Sequence, residues 1–342
     1  MAVKIFTQFT SDDFGKTTNK ISEGLFTNGV GELNAFYTSS TQAASARGAY
    51  AIDVYHEVTS STTSEVQFSI AYGHISGSGS VHTNDSKPSK AIHSQYRNLL
   101  LESDDSQFTF NSVDSNHITV LNVNRNKFKE NIDPGNWELH LASGSSVIKL
   151  IDDSGQSLGA GTQANSSAAG KKYYNIVSGS VANGPYGSTY LYHGLFYHEM
   201  GLLIFNPNSI NSALSMSAAS SSFITQSTDA TPSPSNTSRF YNLMTHVSAS
   251  VFKARNEETL NSQHFFIRIK SKEYNFSNNP TYITGSQGRI IDTISKRGTP
   301  FSFITGIGLY NDSNELLAVA KLSQPLFKEP GTEALVKVRL DF

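Results

Sequence analysis

The last ten residues, "EALVKVRLDF", alternate with a period of two: Ala334, Val336, Val338, Leu340 and Phe342 fall on one side, and Lys337, Arg339 and Asp341 on the other. Only an extended chain brings every second side chain to a common face, so this pattern specifies a strand with one buried face. The same alternation sets Phe265, Ile267 and Ile269 against Arg268, Lys270 and Lys272 in "QHFFIRIKSK". Further strands are read in "AYAIDVYHEV", "SEVQFSIAYG", "SNHITVLNVN", "NWELHLA", "SVIKLID", "STYLYHGLFY", "MGLLIFN", "THVSASVFKA" and "FSFITGIGLY". Turn signals separate them, among them Asp133-Pro134-Gly135, Asp153-Ser154-Gly155, Asn183-Gly184 and Asn311-Asp312-Ser313-Asn314. Many short strands at close spacing restrict the chain to a mainly β class of antiparallel sandwiches or barrels in several units.

One helix is specified clearly. After Pro88 in "NDSKPSKAIHSQYRNLLLES", residues Ile92, Tyr96, Leu99 and Leu100 share a stripe at helical spacing, giving a helix over about 88–103. A second short helix is expected near "TSSTQAASARGAY", ended by Gly48. Two stretches, Gly155 to Ser188 and Ser212 to Ser238, are small and polar, and read as long Ser/Gly-rich loops because they offer little apolar area against their ordering entropy. They suggest an N-terminal β-rich unit (1–130), a middle β unit (131–211), a Ser/Thr/Pro-rich linker (212–240) and a C-terminal β unit (241–342) able to pack with the first.

Composition removes several function classes. The 342 residues contain no cysteine, which excludes disulfides, thiolate metal sites and a cysteine nucleophile. Lys and Arg number 26 against 28 Asp and Glu, a net charge of -2, so no excess of cations is present to neutralise a phosphate backbone, and nucleic acid is not expected as a partner. Charged residues make up only 16% of the chain, which suits close-packed subunits because every unpaired charge buried in an interface carries a desolvation cost. "MAVKIFTQFTSDDFG" is not read as a secretory signal, and no apolar run is long enough to cross a bilayer; a soluble, cytoplasmically made protein without membrane insertion is expected.

Motifs for chemistry are missing. There is no G-x-S-x-G, no G-x-x-x-x-G-K, no H-E-x-x-H and no G-x-G-x-x-G. Gly306 and Gly308 in "GIGLYN" read as a place where another backbone approaches closely. His193 and His198 are five apart, which suits one metal ion neither on a strand nor on a helix, and they read as satisfied histidines in a surface band with Tyr190, Tyr192 and Tyr197. The pairs Asp12/Asp13, Asp104/Asp105 and Asp152/Asp153 read as solvated turns, "NDSNE" as a hairpin turn, and Trp137 as packed inside the middle unit. No enzymatic activity, catalytic residue, metal site or cofactor is expected. The 21 Phe and 15 Tyr exceed what sheet cores require and are enough to dress an interface, for which Tyr190, Tyr192, Tyr197, Phe301 and Tyr310 are the candidates.

The segments "HISGSGS", "AIHSQYRNLLLES", "NIDPGNWELHL", "VIKLIDDSG", "EYNFSNNP" and "GIGLYNDSNELLAVAKLSQPL" together resemble a virion structural protein of T4-like contractile-tailed phages, of the type infecting cyanobacteria. The resemblance runs from about Ala71 to the C-terminus and departs at "LYHGLFYHEMGLLIF", where His198 and Glu199 replace a Tyr-Pro-Asp type of turn. It implies a tail or baseplate component located in the virion, made in the host cytoplasm, and contacting other tail proteins or further copies of itself. A capsid decoration or neck protein, and a receptor- or carbohydrate-binding module of the tail, are the alternatives. In each case the apolar hairpin from Ile304 to Leu322 is expected to pair within the C-terminal sheet and to offer one face to a helix or a neighbouring subunit.

Overall fold

The computed structural model describes residues 7–39, 51–77, 88–101, 107–155, 164–167, 169–186, 192–217, 223–224, 236–246, 250–277, 279–285, 288–291 and 298–342. The fold is mainly antiparallel β, as the alternation predicts, with three helices among these residues: α1 (Pro88–Leu101), α2 (Pro207–Ala213) and α3 (Asn236–Thr245). Residues 40–50, where the short helix near "TSSTQAASARGAY" was expected to run to Gly48, and the pair Asp104/Asp105 lie outside the described residues.

The chain divides into two compact units, Lys20–Glu258 and a second made of Met1–Asn19 with Thr259–Phe342. This differs from the division read in the sequence. No boundary falls at residue 131, because strands from both sides of it join one ladder, and the boundaries lie instead inside two long polar strands, Phe14–Gly24 and Arg255–Ile269. The stretch 155–188 is likewise not all loop, since Lys172–Ser180 is a central strand of that ladder.

In the larger unit a twelve-stranded sheet has ten strands on its main path. Their spatial order is Glu32–Leu33, Phe252–Lys253, Glu138–Ser143, Ser146–Asp152, Lys172–Ser180, Tyr192–Tyr197, Leu202–Phe205, His117–Val123, Val66–His74 and Ala51–Tyr55, every registered pair antiparallel. Helix α3 touches Glu138–Ser143, third from one end, and also Val66–His74 and Ala51–Tyr55 at the other. One helix can reach both only if the sheet curls around it, and the result is a half-barrel. A bridge between Tyr37 and Tyr55 (N···O 3.1 and 2.8 Å) ties the segment after the first strand to the last strand.

Side chains alternate between two cores. Phe68, Ile70, Tyr72, Leu121, Phe196, Leu203 and Phe205 point to the concave side and pack with Phe240, Leu243 and Met244 of α3. Val120, Leu195, Tyr197, Leu202 and Ile204 point to the convex side, with Phe108, Phe110 and Leu100 of α1. Burial on both faces explains why "GLLIF" is a continuous apolar run, as in any strand with no wet side. Trp137 packs on Phe196 in the concave core with ring centroids 5.3 Å apart, as expected of a core residue.

Helix α1 docks with only part of the stripe read in the sequence: Leu100 is buried and Tyr96 packs against the convex core, while the closest contact is made by residues outside it. Ser89, His93 and Leu100 are buried, whereas Leu99 is exposed. The cause is Gly73: a Cβ there would lie 2.8 Å from His93 N and 2.9 Å from its Cα, so the helix backbone lies directly on the strand and the contact face must be small or flat.

The smaller unit has a thinner core. The strand residues 262–269 pair with Ala334–Asp341, placing Phe265 opposite Val338 and Ile267 opposite Val336, and Phe9, Phe14 and Phe265 form a ring cluster with centroids 5.3 to 5.7 Å apart. The hairpin of Ser302–Tyr310 and Leu316–Lys328 does not join the C-terminal sheet as expected, but forms a separate two-stranded sheet.

Candidate functional site

Groups able to carry chemistry are tied into the scaffold. Asp152 is buried and accepts from Gly135 N (2.8 Å), Ser154 N (2.9 Å) and the Ser154 hydroxyl; burial raises its carboxyl above the ordinary range. Asp153, also buried, holds Asn175 through N (2.9 Å) and Nδ2 (2.7 Å). Asp13 closes a capping box with Thr10, whose N–H and hydroxyl donate to Oδ2 at 2.9 and 2.8 Å and lower its carboxyl. Asp13, Asp152 and Asp153 are therefore interior anchors, a correction to the solvated turns expected. An Asp whose oxygens collect backbone N–H groups fixes a turn from within, and its polarity alone does not reveal this.

His193 and His198 are both buried and form no surface band with the tyrosines. The His193 ring is held by the Ser178 hydroxyl at Nε2 (2.7 Å) and the Ser209 hydroxyl at Nδ1 (2.8 Å), and burial pushes it down to about 4. A ring that basic only at acid pH is a poor general base near neutrality. His198 packs at a tilt against Tyr174 and Phe196, and burial lowers it also.

Three further buried histidines meet where α1 covers the sheet. His74 and His117 are cross-strand partners with ring centroids 6.1 Å apart, and His93 of α1 stands edge-on to Phe108 at 5.6 Å. His117 is fixed by Tyr72 Oη at Nδ1 and by Asn208 Oδ1 at Nε2, both 3.1 Å. Both His93 ring nitrogens lack a hydrogen-bond partner among the described residues. Burial pushes His93 and His117 down to about 4, with the nearby Arg97 adding to the effect on His93. Among the described residues no group of three or more His, Cys, Asp or Glu could hold a metal ion.

A buried Glu–His pair was not anticipated. His140 Nε2 lies 2.5 Å from Glu138 Oε1, and Val181 N donates to Glu138 Oε2 at 2.8 Å. Burial raises the Glu138 carboxyl, but His140 and the Val181 N–H outweigh it and leave it below the ordinary value. The two residues are i and i+2 on one strand, so a Glu and a His on a single strand face were the available signal.

The feature without a structural explanation is the hairpin. Asn311 closes its turn, accepting from Glu315 N at 2.8 Å and donating to Glu315 Oε2 at 2.7 Å, while Asn314 takes a left-handed φ of 61°. Its base is bolted to the Ser271–Asn275 turn. The buried Lys328 ammonium donates to Ser271 O (3.1 Å), Asn275 Oδ1 (2.8 Å) and Glu329 O (3.0 Å), and Ser302 Oγ donates to Tyr274 O (2.5 Å). Phe303 and Phe327 at the base, and Tyr310, Leu316, Leu317 and Val319 beyond it, remain 38–68% exposed. Gly306 and Gly308 form the floor of an open groove of about 540 Å³ walled by Tyr310, Leu316, Val319 and Lys321. The space above Gly308 is taken by the chain's own Tyr310 and Leu316 side chains, and above Gly306 a Cβ would meet only Ala320 O, at 3.3 Å.

Of the interface candidates, Tyr310 lies on this hairpin, and Phe301 packs at its base with Phe303 and Phe327. Tyr192 is half-buried in the central sheet. Tyr197 is 1% exposed inside the convex core against Tyr173, which removes it as a contact for a partner, and Tyr190 lies outside the described residues. No described helix is long and apolar enough to cross a membrane. No family model, no curated protein and no solved structure matches this chain.

Proposed function

We propose that this chain is a structural subunit of a phage contractile tail, placed in the baseplate, which works through protein–protein interfaces during assembly and catalyses no reaction. It would be made in the host cytoplasm and reside in the virion. The observation that carries this reading is the apolar hairpin, anchored at its base by Lys328 and Ser302 and exposing Phe303, Leu316, Leu317, Val319 and Phe327 to solvent. Two-stranded sheets are marginal in water by themselves, and contiguous apolar patches of this size mark binding surfaces. The buried Trp137 and the engaged carboxylates weigh against the carbohydrate-binding alternative, which needs exposed aromatics beside free acids.

The test is to locate the polypeptide in purified particles and count its copies. Six copies, or a small multiple, support a place at the tail end; hundreds point to capsid decoration. Particles without the polypeptide overturn the structural reading altogether.

A further inference from the structure

We infer that His93 is an acid-sensitive latch: protonation of its ring releases helix α1 from the convex face of the half-barrel while the sheet beneath stays folded. The latch is independent of the hairpin and of the reading above.

Residues 68–74 pair with 117–123 without a register shift, so strand alternation fixes the faces. Gly73 and its partner Ile118 face the convex side, whereas Tyr72, His74 and His117 face the concave one. Gly73 thus offers α1 a bare patch of strand to lie on, and the residue seated there is His93, whose N and Cα would come within 2.8 and 2.9 Å of a Cβ at Gly73. The His93 imidazole is fully buried and meets the Phe108 ring edge-on at 5.6 Å. Neither of its nitrogens has a hydrogen-bond partner among the described residues. The rest of the attachment is slight. Lys90, Ala91, Gln95, Asn98 and Leu99 of α1 are exposed, and besides His93 the helix commits Ser89, Tyr96 and Leu100 to the contact. An element with so little buried surface is a candidate for opening on its own.

A proton on this ring finds nothing to satisfy it. The charged form donates through both nitrogens, and a buried donor without an acceptor forfeits its hydration. The neighbouring charges have the wrong sign. Arg97, one turn along α1, is a cation, and His74 across the strand becomes one in acid. Lys90, one turn the other way, is a third cation and lies in solvent, and Tyr96 is engaged by Asn122. On the concave side, His117 holds Tyr72 Oη and Asn208 Oδ1, and Ser76 N donates to His74 Nδ1 at 3.0 Å, a bond that a proton on that nitrogen would break. Among the described residues no carboxylate acts on His74, His93 or His117. Acid therefore gathers like charge on both sides of one strand, and lifting α1 returns His93 to water. Because the closed form binds fewer protons than the open one, opening is favoured as pH falls.

Native-state hydrogen exchange of the full chain at about pH 7.5 and about pH 5, corrected for the pH dependence of intrinsic exchange, tests this. Returning His93 from about 4 to its ordinary 6.5 on opening should raise the opening constant of the α1 amides about thirtyfold between the two conditions. Low urea should leave that exchange nearly unchanged, the mark of an opening that exposes little surface, while the α3 amides respond steeply. His93→Met, an apolar side chain of similar reach, should reduce the acid rise about tenfold or more. His93→Gln replaces it if circular dichroism shows that the Met chain does not fold. His193→Gln changes a buried histidine of the same unit, held by Ser178 and Ser209, and should leave the rise at α1 in place. Three results overturn the latch: an α1 that opens equally at both pH values, one that exchanges in acid only with the urea dependence of α3, or an acid rise that survives in the His93 variants or vanishes in His193→Gln.

Discussion

The half-barrel and the hairpin are built from the same kinds of residue and put them to opposite use. In the half-barrel, Phe68, Phe196, Phe205 and Phe240 are fully buried around α3, each contributing ~1.5–3 kcal/mol relative to an exposed position. In the hairpin, Phe303, Leu317 and Val319 are 55%, 68% and 63% exposed and contribute little to the fold of a lone chain. Aromatic content therefore does not report where stability lies. One region offsets its ordering entropy with its own contacts, and the other leaves much of its apolar surface exposed to water.

Acid is expected to produce the largest difference between the two regions. His93, His117 and His193 belong to the half-barrel unit, and each falls from its ordinary 6.5 to about 4 because burial disfavours the charged ring. Between these values the unfolded chain binds more protons, so stability is full above pH 6.5 and is lost as pH falls toward 4. At ~2–3 kcal/mol for each, the loss totals on the order of 5–10 kcal/mol. Asp152, raised by burial, opposes the loss at the acid end. Urea unfolding at pH 7.5 and pH 5 should show the decline, and His117→Gln should flatten it; an unchanged midpoint would sink the claim that these rings are buried neutral.

Phe240→Ala comes next. Its ring packs on Phe205 at 5.2 Å inside the curl, and the resulting cavity should cost about 3–5 kcal/mol in equilibrium unfolding. A cost below ~1 kcal/mol would mean that α3 does not sit inside the sheet. Gly73→Ala is smaller, about 1–3 kcal/mol, because the α1 backbone must move away from the strand to clear the new methyl. Native-state hydrogen exchange should show the loss localised to α1 and its neighbouring strands. At the far end of the scale, Phe303→Ser should change the stability of the monomeric chain by less than ~0.5 kcal/mol. A cost comparable to that of Phe240→Ala would erase the contrast between the two regions.

Parts of this organisation are legible in the amino-acid order alone. Period-two alternation locates the Ala334–Asp341 strand and the hairpin, and Pro88 marks the start of α1. The strands Phe14–Gly24 and the first half of Arg255–Ile269 are not legible, because their largely polar sequences "FGKTTNKISEG" and "RNEETLNS" carry no apolar period. Helix α3 is hidden by its surroundings: Phe240, Leu243 and Met244 form a three-residue stripe, but the preceding "TPSPSNTS" assigns its start to a linker. The curl of the sheet depends on contacts between Phe36 and Phe68 and between Tyr37 and Tyr55, pairs too distant in the chain for any local pattern to encode. At the candidate surface, the apolar strands and the turn can be read locally, while the anchoring of the base through Lys328 depends on a tertiary contact to the Ser271–Asn275 turn.

That anchor bears on how the hairpin responds to salt. Exposed ion pairs such as Lys129 with Glu258 lose their attraction once dissolved ions shorten the reach of charge to a few ångströms. The Lys328 ammonium instead grips two peptide oxygens and one amide oxygen away from solvent, none of them carrying a formal charge that added electrolyte could mask. The hairpin should keep its footing from dilute buffer to molar brine, so that whatever meets it finds the same rigid shape at every ionic strength.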